Sequence, residues 1–337
     1  MKKYWKTLST KNILTLVFVA GLYVLLAVFL YTGMLSRQYT NMLISLSCYI
    51  VLAVSLNLVV GLLGELSLGH AGFMSVGLFT GCYFSILLED LLPLAVRLPI
   101  CTVIGGICAA VVGFVVGLPA LRLKGDYLAI VTLGCGEIIK NVITNIIPKG
   151  LNTSSIYSKA RVLFPFAAVL VFITVIVMMN LKRSRHGRAI TAIRDNRIAA
   201  EAMGINVTYY KMMVFILAAF FAGMAGVLYG HSFSNMQATT FGYNMSIEIL
   251  VIVVLGGMGS VSGSVIAAIV LRMLPEMLRG LEDFRMLMYS VLLIAIMLLN
   301  ASPKFNELKG KLSITNLIKQ IKKNKAAKKN AAKKEEA

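Results

Sequence analysis

Charge is scarce in this sequence. Only 14% of its 337 residues are Asp, Glu, Lys or Arg, against about 25% in soluble domains. Metal and redox spacings are missing as well. The five cysteines, Cys48, Cys82, Cys101, Cys108 and Cys135, lie in apolar or nearly apolar sequence and form no CxxC. They read as buried free thiols. The three histidines, His70, His186 and His231, are far apart, which leaves a metal site to folding coincidence. No GxxxxGK[ST] occurs, so the chain carries no P-loop for ATP. HExxH and GxSxG are absent too, and nothing assembles a nucleophile with a base. These gaps speak against an ATPase and against an enzyme in general.

What is present is apolar sequence: 58% of the residues are hydrophobic. Runs long enough to cross a bilayer, about 20 residues each, recur along the chain. The expected fold is an all-α polytopic membrane protein with about ten transmembrane helices. Candidate spans are residues 13–35, 42–62, 66–88, 94–118, 126–147, 163–181, 212–230, 246–262, 264–280 and 286–300. The first run is too long for a signal-peptide core and lacks an A-x-A-like cleavage site, so an uncleaved span is expected. The span at 126–147 holds Asp126, Glu137, Lys140, Asn141 and Asn145, so it should face protein or water rather than lipid. LGGMGSVSG interrupts the pair at 246–280.

The net charge of +19 reflects orientation, not nucleic acid. With the N-terminus inside, the inner short segments hold thirteen Lys and Arg and the outer ones seven, the bias that cytoplasmic loops carry. Both termini are then cytoplasmic. The permease-like membrane domain is expected over 1–303 and a lysine-rich tail over 304–337. That tail reads as solvated and attracted to anionic lipid head groups; an RNA-binding or ribosome-binding arm has only charge behind it.

Three kinds of motif stand out. Gly77-xxx-Gly81, Gly113-xxx-Gly117, Gly226-xxx-Gly230 and Gly259-xxx-Gly263 clear one helix face for close packing. GLLGELSLGHAGFMSVG (Gly61–Gly77) and LGGMGSVSGS (Leu255–Ser264) interrupt apolar sequence with glycine and serine. Non-helical backbone in a bilayer must be buried in protein or line a cavity, and such pairs of interrupted segments point to a transport site. Asn57, Glu65, Asp126, Glu137 and Glu248 are the foremost polar or ionisable candidates within spans or at their ends, with functional and interfacial roles both open. The third motif is the polar segment RAITAIRDNRIAAEAMG (Arg188–Gly204) within a loop at about 182–211. It reads as one short helix outside the membrane, stopped at Gly204, with Asn206 or Thr208 capping the next. A charged helix with an alanine surface suits docking in another protein's groove.

These residues resemble the LivM-type permease subunit of branched-chain amino acid ABC importers. The match is carried by Gly61–Gly77, by GLPALRLKGDYLAIVTLGCGEIIKNV (Gly117–Val142), and by Ser184–Gly230 running on to VLGGMGSVSGSVIAA (Val254–Ala268). It covers roughly residues 40–300. The resemblance implies one of two different membrane subunits of a translocation pathway, in the bacterial plasma membrane. The other would be a LivH-type sister. Two cytoplasmic ATPase subunits would bind the ATP, this chain holding no cofactor, and an extracytoplasmic binding protein would deliver substrate. It makes Arg188–Gly204 the ATPase-coupling segment, with Arg188, Arg194, Asp195, Arg197, Glu201, Ala202 and Gly204 as its site residues. Ser67, His70 and Glu137 are candidate residues of the path. Close relatives move urea or short amides, and the sequence does not exclude those. The family usually ends soon after the last span with an Arg-Pro-Gly-Leu-like sequence; here NASPKFNEL (Asn300–Leu308) stands there. The contrasting classes are a self-sufficient secondary transporter or channel, with Glu137 and Glu248 as ion-coupling candidates, and a membrane-embedded enzyme.

Overall fold

The computed structural model describes residues 10–32, 37–123 and 125–277, with four isolated helical positions between 290 and 298. The expected span at 286–300 and the lysine-rich tail therefore fall largely or wholly outside the described residues. Contacts divide the chain into a compact unit, Leu14–Met273, and a second unit made of the two terminal stretches. Of the second, the described parts are the ends of two helices and the isolated positions.

The compact unit is built almost entirely of helices. They are α1 (Thr10–Tyr31), α2 (Arg37–Asn57), α3 (His70–Leu87), α4 (Leu94–Ala120), α5 (Asp126–Ile146) and α6 (Ala160–Arg183). After two short helices, α7 (Arg185–Asp195) and α8 (Arg197–Ala202), come α9 (Val207–His231), α10 (Tyr243–Gly256) and α11 (Val261–Met277). A π-helical turn, Leu58–Leu63, continues α2. Two short strands, β1 (Leu151–Asn152) and β2 (Asn235–Met236), pair antiparallel and tie the loop after α5 to the loop after α9.

Among the described residues, six helices are long and apolar enough to cross a membrane: Met42–Leu63 and α3, α4, α5, α6 and α9. The protein is thus a multi-pass membrane protein. Three expected spans are shorter apolar helices, Thr15–Tyr31, Tyr243–Gly256 and Val261–Pro275. At about 1.5 Å per residue, the 14 residues of α10 reach only some 21 Å, short of a hydrocarbon core of about 30 Å. The break between α10 and α11 falls at Gly257–Ser260, where Gly257 and Gly259 have φ of +90° and +82°. It therefore lies several residues earlier than the sequence boundary at 262–264. The span expected at 66–88 begins only at His70, because residues 64–69 are not helical.

Close glycine packing holds the centre. Gly77 of α3 faces Gly223 of α9, and a Cβ on Gly77 would lie 2.3 Å from the Gly223 Cα. On the same interfaces Gly226 meets the Met74 carbonyl, Gly113 meets Ala219, and Gly230 meets Cys82. Three of the four small-residue motifs are therefore packing stripes of the α3–α4–α9 core. The fourth, Gly259-xxx-Gly263, is not: Gly259 sits in the turn before α11 with a left-handed backbone. Aromatic rings fill the same core, with Phe73 edge-on to Phe215 at 5.4 Å. The stretch Met42–Leu63 is the most enclosed and α5 the least.

Candidate coupling surface and translocation path

The polar segment forms two helices where the sequence suggests one. Ser184 opens α7 by accepting from the Gly187 amide at 3.1 Å. Asn196 then interrupts the helix: its backbone is extended and its side chain accepts from the Ala199 amide at 3.0 Å, starting α8. Asn is among the best N-cap residues, so the Asp195-Asn196-Arg197 sequence held the signal that the single-helix reading passed over. At the far end Gly204 has φ +79°. The Ile205 amide bonds back to the Ala200 carbonyl and the Gly204 amide to that of Glu201, a glycine-terminated helix stop. Asn206 caps α9 through the Tyr209 amide at 3.0 Å.

One face of this segment is inward and another is bare. Gly187, Ile190, Ile193 and Ala200 are buried. Arg188, Glu201, Ala202 and Gly204 are exposed. Arg197 and Glu201 pair along α8 at 2.9 Å, and Arg194 pairs with Asp195 at 3.0 Å. Ile198 and Met203 are about 80% exposed, 80% and 82%. An apolar pair this bare among charges suits a protein partner. Arg194 differs from its neighbours: its guanidinium also donates to the Gly61 carbonyl at 3.1 Å.

Two of the three candidate path residues, Ser67 and His70, lie at the start of α3. The π-turn ends at Gly64, and the coil from there to Gly69 leads into α3. Glu65 pairs with Lys211 of α9, both largely buried. Ser67 is buried and its hydroxyl has no partner among the described residues. The Leu68 amide donates to Thr132 of α5 at 3.0 Å and the Ala71 amide to Ser246 of α10 at 3.3 Å. His70 is held by Ser55 at 2.8 Å and stands edge-on to Phe73. Glu137, five residues beyond Thr132 on α5, accepts from the Tyr243 amide at 2.7 Å, where α10 begins, and pairs with Lys140. Ser67, His70 and Glu137 thus lie around one junction of α3, α5 and α10. Ser67 and His70 are at the α3 start and Glu137 is at the α10 start, with no hydrogen bond joining them. Both helices begin beside the middle of α5 instead of at its ends.

Sequence reading missed one charged cluster. Arg272 of α11 donates to Glu248 at 3.1 Å and to Ser45 at 3.0 Å. Its guanidinium lies 4.0 Å from the centre of the Tyr49 ring, and Tyr49 donates to Glu248 at 3.1 Å. An arginine inside an expected span was the available signal. The pairing also bears on ion coupling, since Glu248 and Glu137 each have a basic partner.

The profile of a family described as branched-chain amino acid transport system / permease component matches residues 38–301. The chain belongs to this permease family. It is 33% identical over 274 residues to the high-affinity branched-chain amino acid transport system permease protein LivM of Salmonella typhimurium, and equally to that of Escherichia coli. Each match covers 70% of this chain and 62% of the relative, so the chain spans under two thirds of the length of those relatives. A probable branched-chain amino acid transport permease protein LivM of Methanocaldococcus jannaschii is 30% identical over 47% of this chain and 50% of its own. No solved structure matches. The permease family match takes in nearly all of α2 to α11, and with them the polar segment Arg188–Gly204, both interrupted segments and the α3–α5–α10 junction.

Proposed function

We propose that this chain is a permease subunit of an ATP-driven importer in the bacterial plasma membrane. With a LivH-type sister subunit it forms the passage for leucine, isoleucine and valine. The observation that carries this reading is the docking segment α7–α8, with Ile198 and Met203 bare beside the Arg197–Glu201 pair, in a chain of the branched-chain permease family. The chain has no P-loop, so ATP hydrolysis belongs to two separate cytoplasmic ATPase subunits. The docking face, with Arg188, Arg197, Glu201, Ala202 and Gly204 around the apolar pair, receives one of them. An extracytoplasmic binding protein delivers substrate at the opposite end.

The passage runs past the α3–α5–α10 junction, where Ser67, His70 and Glu137 lie. Two helix starts within the membrane-spanning bundle suit such a site. On α5, Asn141 and Asn145 face away from this chain. Polar groups on a span are costly against lipid, and the sister subunit covers that face. Alternating access follows when the two states bind ligand differently.

The test is purification of the tagged protein from its own membranes, then uptake in vesicles. A P-loop ATPase and a second polytopic subunit should accompany it, and the complex should take up labelled leucine, isoleucine or valine with ATP. Uptake of urea instead would move the substrate class. Recovery of this chain alone, moving solute without ATP, would sink the importer reading.

A further inference from the structure

The two glycine-interrupted segments touch each other; α7 is tied to the first through Arg194 and the end of α6 to the second through Lys182. Gly61 in the π-turn lies against Gly259 in the α10–α11 turn: a Cβ on Gly61 would sit 2.1 Å from the Gly259 nitrogen. Asn57 joins the same two segments. Its side-chain oxygen accepts from the Gly259 amide at 2.7 Å and its amide donates to Ser264 at 3.0 Å. Lys182, at the end of α6, donates to the Gly259 carbonyl. Arg194, at the end of α7, donates to the Gly61 carbonyl at 3.1 Å. Its aliphatic stem covers Gly64, where a Cβ would lie 2.5 Å from the Arg194 Cγ.

The π-turn makes this contact available. A helix end leaves its last carbonyls without helical partners, and the chain leaves the helix at Gly64, with φ +81°. The Gly64 and Glu65 amides both turn back to the Val59 carbonyl. That leaves the Gly61 carbonyl to Arg194. Single π-turns within α-helices often mark functional sites. The coil that starts here carries Glu65 and Ser67 and ends at His70, beside Thr132 and Ser246. Arg194 therefore grips one end of a short coil whose other end is the α3 start.

We propose that Arg194 is a positioning residue that carries movement of α7–α8 to the coil Gly64–Gly69, with Lys182 as a second tie to the α10–α11 turn. The Arg194 side chain is 41% exposed, yet its guanidinium reaches back to the Gly61 carbonyl. This rests on the importer reading. A displaced α7 pulls the Gly61 carbonyl and Gly64 with it, and the coil passes the displacement to the α3 start. Ile198 and Met203 hold the partner, and Arg194 works behind them.

The experiment uses the complete complex with its ATPases and binding protein in proteoliposomes, comparing wild type with Arg194→Ala, Arg194→Lys and Gly64→Ala. Complex yield, ATP hydrolysis and leucine uptake are measured on each. Arg194→Ala should assemble and hydrolyse ATP while uptake per ATP falls about tenfold or more, the size of an ordinary coupling free energy. Arg194→Lys keeps a donor for the Gly61 carbonyl and should recover most of the loss. Gly64→Ala, which disturbs the contact from its other side, should resemble Arg194→Ala. Unchanged uptake per ATP in Arg194→Ala would overturn the proposal. So would loss of ATPase co-purification or of complex yield in both Arg194→Ala and Gly64→Ala, since the contact would then serve docking or folding. A wild-type complex without ATP-dependent uptake would instead sink the importer reading.

Discussion

A single position separates backbone shape from docking chemistry. Gly204 stops α8 with φ +79°, yet a Cβ there would meet nothing within 4 Å. Gly204→Ala therefore suffers only the left-handed backbone strain of about 1 kcal/mol. It should lower uptake modestly. Gly204→Arg adds the same strain and also a long cation at the rim of the proposed docking face. It should still insert in the membrane, while ATP-dependent uptake falls well below that of Gly204→Ala, by about tenfold or more, because a bulky charge held against the partner must be desolvated or push it away. Membrane level by immunoblot and leucine uptake in cells separate the two effects. Equal uptake by Gly204→Arg and wild type would remove Gly204 from the docking face. The sequence showed this residue's role as a stop, because glycine after a run of alanines has one ordinary meaning. It did not show that Arg194 reaches the Gly61 carbonyl: in the sequence Arg194 looks like Arg188 and Arg197, and only the placement of that carbonyl distinguishes it.

At the scale of elements, α9 packs backbone to backbone on α3. Gly77 and Gly223 bring two backbones together with no side chain between them, and Val227 and Ala109 fill the flanks through Gly81, Gly105 and Gly223. Gly77→Val would place its first carbon 2.3 Å from both the Cα and the carbonyl oxygen of Gly223. Backbone cannot swing aside as a side chain does, so the helices must part. Overpacking of this kind costs about 1–3 kcal/mol, occasionally more, and the thermal midpoint of the detergent-solubilised protein should drop by several degrees. Gly21→Ala in α1 is the control, since nothing lies within 4 Å of its Cβ position; it should be neutral to slightly stabilising, because Ala favours a helix interior over Gly. Spacing of small residues made this core legible. The same spacing misled at Gly259, where two positive-φ glycines two residues apart make a turn. The π-turn was invisible for a different reason. LVVGLL reads as more helix, because nothing in an apolar run records whether its carbonyls bond four or five residues on. The short α10 was hidden likewise: apolar sequence continues through the break, so composition sets no end to it.

For the molecule as a whole, the structure states which loops share an end, and charge then gives an expectation of sidedness that labelling can test. Arg194 and Lys182 reach Gly61 and Gly259, so the docking segment, the coil after α2 and the α10–α11 turn lie at one end. Gly117 near the end of α4 packs on Met212 near the start of α9, which adds the α4–α5 loop to it. The β1–β2 pair and the Ser158 amide on the His231 carbonyl, at 3.1 Å, place the loops after α5 and α9 together. The first end holds Arg122, Lys182, Arg183, Arg185, Arg188, Arg194, Arg197 and Lys211, and the second Arg97, Lys149, Lys159 and Arg161. Counting spans from the N-terminus is vulnerable to a single error, which inverts every later loop. Loops grouped by contact are not, and the excess of basic residues makes the cytoplasm the expected side of the α7–α8 end. Single cysteines at Ser154 and Ile198, both exposed, test this in a background with the five native cysteines replaced by alanine. A membrane-impermeant thiol reagent should modify Ser154→Cys in cells whose plasma membrane is intact and whose outer barrier is open. Ile198→Cys should react only after the plasma membrane is breached, and ATPase bound at α8 should then slow it. Rapid modification of Ile198→Cys from outside would put the docking helices on the wrong side for any cytoplasmic ATPase, and the importer reading would fall with the orientation.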